Sequence, residues 1–445
     1  MRIVKKGASA FSHMNIHIKN WLLSSCLLLA AALRVEAETP PNVVVIISDD
    51  QHWADYGFMG HPHLNTPHLD KLASESLLFP RGYVPSSLCC PSLATIISGL
   101  YPHQSLITSN DPPLVEGKKR KGLDDPAFLA GRDKFNQHMD SLATLPRLLK
   151  QKDYLSFQTG KWWQGKYTHG GFTHGMTQGS RHGDEGLKIG REGLQPIKDF
   201  IGLAKDQSKP FFVWYAPFMP HTPHTPPERL LIKYKDKAPT LEVAKYWAMI
   251  EWLDETCGEM MQMLEDQKMA ENTIVIYVCD NGWIQDPNNT NKYAPRSKQS
   301  QFDGGLRTPI MVRWPGKVKP AKSDALAISI DIAPTILKAV GLPVTEQMQG
   351  LNLLDADAVN ARKTIFGEIF THDSQDLDNA AASLRWRWII DGHNKLIVPY
   401  PKNEPASEME LYDLSADENE KTNLAAQKPD KVEALKKVLD AWWRP

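Results

Sequence analysis

Five short apolar runs constrain this chain most: Val43 to Ile47, Tyr154 to Gln158, Phe211 to Tyr215, Thr273 to Cys279 and Ile365 to Ile369. None alternates with polar residues, so each must be covered on both faces, which is the habit of strands in a parallel sheet. Between them lie helical patterns, Pro67 to Ser76, Thr144 to Lys150, Gln195 to Lys205 and Leu241 to Gln267. This alternation predicts an α/β fold with a large, mainly parallel sheet sandwiched by helices. Sites in such sheets gather at the carboxyl ends of the strands. Four of the runs lead into polar residues there: Asp49-Asp50, Lys161 after Thr159-Gly160, His221 beyond Ala216-Pro217, and Asp280-Asn281-Gly282. One such ending is a turn; four predict a shared pocket.

After residue 375 the pattern shortens to Ser383 to Asp391, Lys395 to Tyr400 and Glu410 to Leu414, followed by a helix from Asp430 to Trp442. That predicts a small C-terminal antiparallel sheet plus helix. The expected division is 1–37 as a signal peptide, 38–375 as the catalytic α/β domain, and 376–445 as an α+β subdomain. Gly160 to Gly193, rich in glycine, histidine and charge, reads as a surface loop, and Asn110 to Asp140 and Tyr167 to Gly193 read as loops that set specificity.

With 445 residues, 42% of them hydrophobic, the chain can bury one large core and a smaller one. A formal net charge of −1 provides no field that would favour nucleic acid, so an anionic substrate must be held by a few local cations. Arg2, Lys5, Lys6 and Lys19 precede an apolar run from Trp21 to Leu33 and a small-residue pattern, Val35-Glu36-Ala37. This predicts a cleaved secretory signal and a secreted or periplasmic protein with no stable membrane span. Leu23-Ser24-Ser25-Cys26 is a weaker lipoprotein pattern, because the apolar run continues past the cysteine. Cleavage leaves Cys89, Cys90, Cys257 and Cys279, too few for a disulfide-built fold.

The stretch Ser86 to Gly99 sets Cys89 just ahead of a helix, with Pro91 suited to the first helical position and Gly99 to its end. The unpaired amides and positive dipole end of that helix would face the thiol and any anion brought to it. Asp49, Asp50, Asp280 and Asn281 offer only oxygen donors, which suits a hard cation such as calcium or magnesium. The same residue types also cap helices and close tight turns.

Cys89-Cys90-Pro91-Ser92 with Ser98-Gly99 resembles the signature of the formylglycine-dependent sulfatases, in the alkaline-phosphatase superfamily. The resemblance implies that Cys89 is oxidised to formylglycine by a maturation enzyme and that its hydrate is the nucleophile. It implies one Ca²⁺ held by Asp49, Asp50, Asp280, Asn281 and the oxygen at position 89. Lys161 in Thr159-Gly160-Lys161-Trp162, and Lys298 in the run to Gly304-Gly305-Leu306-Arg307, match the family's sulfate-contacting lysines. Pro220-His221-Thr222-Pro223-His224 contains its Pro-His-x-Pro element twice; His221 is taken as general acid, with His224 and Arg307 as candidate substrate contacts. Leu93 stands where the signature has arginine, and Trp163 where many members have a histidine. His182, in Arg181-His182-Gly183-Asp184, is the candidate substitute for that histidine and reads equally as a plain loop residue.

The expected activity is hydrolysis of a sulfate ester, on a sulfated carbohydrate or an aryl sulfate. Two other readings stand beside it: a phosphatase or phosphodiesterase of the same superfamily, and a non-catalytic protein that binds sulfated glycans.

Overall fold

The computed structural model describes residues 39–114 and 124–445. The expected signal peptide lies outside them, and Pro41–Pro445 form one compact unit. Its strands are β1 (Asn42–Ser48), β2 (Leu77–Phe79), β3 (Gly82–Tyr83), β4 (Leu155–Gly160), β5 (His174–Gly175), β6 (Phe211–Ala216), β7 (Thr273–Cys279), β8 (Ile310–Arg313), β9 (Ala321–Lys322), β10 (Ala327–Ile328), β11 (Thr364–Phe370), β12 (Leu384–Asp391), β13 (Asn394–Pro399) and β14 (Glu410–Asp413). Among the described residues the main sheet has eight strands in the order β5-β4-β6-β1-β7-β8-β2-β9. β1 lies at its centre, parallel to both neighbours, with Val43 opposite Phe212 on one side and Ile274 on the other.

Each apolar strand feeds two cores. Val43, Val45 and Ile47 face the helices Cys89–Ser98 and Ile332–Ala339. Val44 and Ile46 face Pro67–Ser74, Gln195–Asp206 and Leu241–Asp266. The unbroken apolar runs are thus answered by a three-layer sandwich, and the polar residues that follow them emerge together at one edge.

Three expectations are corrected. Ile365 to Ile369 lies in β11, which pairs antiparallel with β12 in a second sheet, β11-β12-β13-β14. One side of this sheet packs with Tyr83 and Val84, and the other with the helix Pro429–Trp442. An apolar run reports two covered faces, not strand direction. The small sheet consequently begins at Thr364, ahead of residue 376.

The expected loop Asn110 to Asp140 contains the helix Pro126–Ser141, capped by Asp125, whose carboxylate accepts from the Ala127 amide at 2.9 Å. Phe128, Arg132, Phe135 and Met139 share its buried face. Both the Asp-Pro start and this helical spacing were legible in the sequence. The nucleophile helix spans Cys89–Ser98, so Cys89 occupies its first turn and Pro91 its third position, where the missing amide again costs no hydrogen bond. Gly99 closes it at φ +69°, with its amide on the Thr95 carbonyl at 2.8 Å.

Candidate active site

The residues that end β1 and β7 converge with two lysines and a thiol. Lys161 Nζ lies 2.6 Å from Asp49 Oδ1 and 3.5 Å from Asp280 Oδ2. Lys298 Nζ lies 2.5 and 2.7 Å from the two oxygens of Asp50 and 3.1 Å from Cys89 Sγ. Asn281 Nδ2 donates to Asp50 Oδ1 at 2.6 Å, and the Asp50 amide donates to Asp280 Oδ1 at 3.1 Å. His221 Nε2 is 3.5 Å from Asp50 Oδ2, and its ring stacks on Phe218 at 4.1 Å between centroids. Asp50 itself holds φ +63°, a left-handed conformation that turns its carboxylate back over the strand ends.

Three carboxylates here meet two ammonium groups, so one negative charge is left over. Burial, together with Asp280 and Asp50, pushes the Asp49 carboxyl well above its usual range against the pull of Lys161. The lysines answer by rising: the carboxylates and the Cys89 thiol hold Lys161 and Lys298 well above the usual ammonium value despite burial. Burial also pushes the Cys89 thiol up to about 12, only partly opposed by Lys161 and Lys298. His221 is pushed well below its ordinary value by burial and then by the two lysines.

Asp49 Oδ2 and Asn281 Oδ1 are buried oxygens with no hydrogen-bond partner. Oxygens left this way normally cost 1–3 kcal/mol each, about the penalty a cation would remove. The donor set and the surplus charge both fit a hard divalent ion, and Asp49, Asp50, Cys89 and His221 offer donor atoms within 4.8 Å of one another.

The two cysteines differ in what they face. Cys89 Sγ points to Lys298, whereas Cys90 Sγ receives Gln164 Nε2 at 3.1 Å and its amide donates to Asn110 Oδ1 at 3.0 Å. His182 reaches the site: its ring is 6.1 Å from His221 and 4.4 Å, edge on, from Trp163. Arg181 donates to its Nε2 at 2.7 Å. His224 is buried beside Tyr246 and Trp283, and neither ring nitrogen has a hydrogen-bond partner. Arg307 turns elsewhere, laying its guanidinium over Trp53 at 3.9 Å and donating to the Pro80 carbonyl at 3.1 Å, so its expected place as a substrate contact is not supported by these contacts. Leu93 is buried in the core under the sheet.

Sequence reasoning missed the support of the Lys298 loop. Lys395, fully buried on β13, lies 2.7 Å from Asp303 Oδ1 and 2.7 Å from Glu420 Oε1, and the Asp303 amide donates to Glu420 Oε2 at 2.7 Å. Arg296 and Gln299, on either side of Lys298, hold φ +64° and +62°, and the Gln299 amide is tied to the Ser87 carbonyl at 3.0 Å. Lys395→Met should destabilise the fold by about 3–5 kcal/mol, because it leaves two buried carboxylates without their cation. Urea unfolding would measure this, and a change under about 1 kcal/mol would contradict the clamp.

Comparison with known proteins decides the family. Residues 41–342 match the sulfatase family, and residues 296–442 match the C-terminal family of N-sulphoglucosamine sulphohydrolase. The chain belongs to the sulfatase family. It is an enzyme of that class, a sulfuric ester hydrolase. N-acetylgalactosamine-6-sulfatase of Canis lupus familiaris is 29% identical to this sulfatase over 384 residues, 76% of this chain and 69% of that protein. N-acetylgalactosamine-6-O-sulfatase of Bacteroides thetaiotaomicron is 24% identical, with 90% and 93% covered. A structure solved in complex with its substrate D-glucosamine-2-N,6-O-disulfate superposes with a TM-score of 0.70 at 19% identity, over 91% of this sulfatase and 97% of that chain, and shows the shared fold. Sulfatases generally use formylglycine and a divalent metal ion.

Proposed function

We propose that this sulfatase removes sulfate from a sulfated carbohydrate, with position 89 as nucleophile in its formylglycine form. The observation that carries the reading is Cys89 Sγ, at the start of a buried helix and 3.1 Å from Lys298 Nζ, within a ring of carboxylates at the strand ends. A thiol held near 12 is almost wholly protonated at neutral pH and a poor nucleophile, which supports its conversion by a maturation enzyme. Formylglycine supplies an oxygen nucleophile, as its hydrate, to attack sulfur.

Asp49, Asp50, Asp280 and Asn281 would hold the divalent ion, whose all-oxygen donors favour calcium. Lys161 and Lys298, charged throughout the neutral range, stabilise the negative charge that builds on the sulfuryl oxygens. His221, held neutral here by burial and the two lysines, would become the proton donor to the leaving alkoxide when the sulfate's negative charge offsets those lysines. His182, whose ring lies 6.1 Å from His221 and 4.4 Å from Trp163, is the candidate substitute for the histidine that many members have at the Trp163 position. His224 is a further candidate contact. The relatives named for N-acetylgalactosamine sulfates support a sugar as the leaving group. The basic and apolar N-terminal pattern supports export from the cytoplasm.

The leaving-group role is tested by His221→Ala. Turnover of a sugar sulfate should fall about 10²–10⁴-fold, while an activated aryl sulfate, whose phenolate leaves without a proton, should lose far less. Equal losses on the two substrates would reject the role; a selective loss in His224→Ala instead would transfer it to that residue.

A further inference from the structure

The two turns that carry the oxygen donors, one after β1 and one after β7, are tied together by a single hydroxyl from outside them. Tyr246 lies on the helix Leu241–Asp266 and is 2% exposed. Its Oη accepts from the His52 amide at 3.3 Å and shares its one proton between two carbonyls, that of Asp50 at 3.3 Å and that of Trp283 at 3.2 Å. Backbone bonds already hold the turns side by side: the Gln51 amide donates to the Asn281 carbonyl at 3.2 Å, and the Asp280 amide to the Ser48 carbonyl at 3.0 Å. The Asp50 carbonyl takes its hydrogen bond from Tyr246 instead.

Asp50 depends on that bond more than its neighbours do. At φ +63° it has a left-handed conformation, which a residue with a side chain keeps only while its surroundings over-determine it. Freed of the tie on its carbonyl, the backbone at Asp50 can relax toward the ordinary region and carry the carboxylate away from Asp280 and Asn281. Trp283 extends the effect to the second half of the site, because Lys298 Nζ lies over its ring, 5.6 Å from the centroid. The ring of Tyr246 has a separate task, packing in an apolar cluster with Leu64, Ile250 and Trp283.

We infer, on the reading that Asp49, Asp50, Asp280 and Asn281 hold a divalent ion, that the Tyr246 hydroxyl is a positioning group for that ion. It holds Asp50 in its ligating conformation and sets Trp283 behind Lys298, and it acts only through these residues.

The test titrates calcium into the mature protein, stripped of metal by a chelator, in a calorimeter: wild type beside Tyr246→Phe and Tyr154→Phe. Tyr246→Phe keeps the ring and its packing and removes only Oη. Tyr154 is the control, equally buried at 2% exposed, with its hydroxyl on the Pro41 carbonyl at the far end of β1. Tyr246→Phe should bind calcium about 10–100-fold more weakly, the loss typical of removing a group that orients a ligand, and Tyr154→Phe should match wild type. The activity of Tyr246→Phe on 4-nitrophenyl sulfate should also climb with added calcium over a range in which wild type is already saturated. An affinity unchanged in Tyr246→Phe, or lowered equally in both variants, would overturn the positioning role, since a merely structural hydroxyl acts on the stability of the fold and not on one site. A wild type that takes up no divalent ion would overturn the metal reading itself, and this inference with it.

Discussion

Cys89→Ala is expected to abolish sulfate-ester hydrolysis while leaving the fold intact. Enzymes that work through a covalent intermediate lose about 10⁴–10⁶-fold when the nucleophile is removed, because the neighbouring groups have nothing left to act on. The side chain lost is small, and its buried contacts are worth about 1–2 kcal/mol, so circular dichroism and urea unfolding should stay close to wild type. Cys89→Ser should be almost as inactive, since a serine sulfate lacks the second hydroxyl through which the aldehyde hydrate expels sulfate and regenerates the aldehyde. Peptide mass spectrometry of active wild type should find an aldehyde at position 89 and a thiol at 90. The geometry distinguishes the two: Cys89 faces Lys298, whereas Cys90 is held by Gln164 on the other side of the helix start. Full activity in Cys89→Ala, or the aldehyde at position 90, would refute the assignment.

Asp49→Ala should empty the metal site and with it the activity. The substitution removes one of three carboxylates and leaves Lys161 without its 2.6 Å partner, so the two lysines balance the two carboxylates that remain and no surplus negative charge is left to hold a cation. Loss of even an outer-shell partner lowers metal affinity about 10–100-fold, and a direct donor should cost at least as much. Elemental analysis of the wild type should find about one equivalent of a divalent ion, calcium by the oxygen-only donor set, and the variant should hold none after dialysis. Chelation of the wild type should reproduce the loss, and calcium should restore it. Two equivalents of zinc in active wild type would instead favour the phosphatase-type chemistry, whose histidine-rich ligands this cluster lacks among the described residues.

Hydrophobic pattern and local motif determined a good part of this protein. Val43 to Ile47 and Thr273 to Cys279 could only be strands covered on both faces, and the polar pairs that end them could only emerge at the sheet's edge. The Cys-x-Pro-Ser run, its closing Gly99 and the Gly-Lys-Trp and Pro-His elements could be read because each is local: their spacing alone carries the information. The helix Pro126–Ser141 was equally local and went unread, since its Asp-Pro start and buried spacing were taken for part of a loop.

What the tertiary structure alone decided are contacts between residues far apart in the chain. Lys298 meets Asp50 across 248 positions and Cys89 across 209, and Lys395 reaches Asp303 across 92. No local pattern specifies which carboxylate a lysine will neutralise, because burial and Coulomb attraction select partners by distance in space. The same reason turned Arg307 onto Trp53 and made β11 antiparallel: an apolar run records how much of a strand is covered, while direction and partner depend on what the rest of the chain brings beside it.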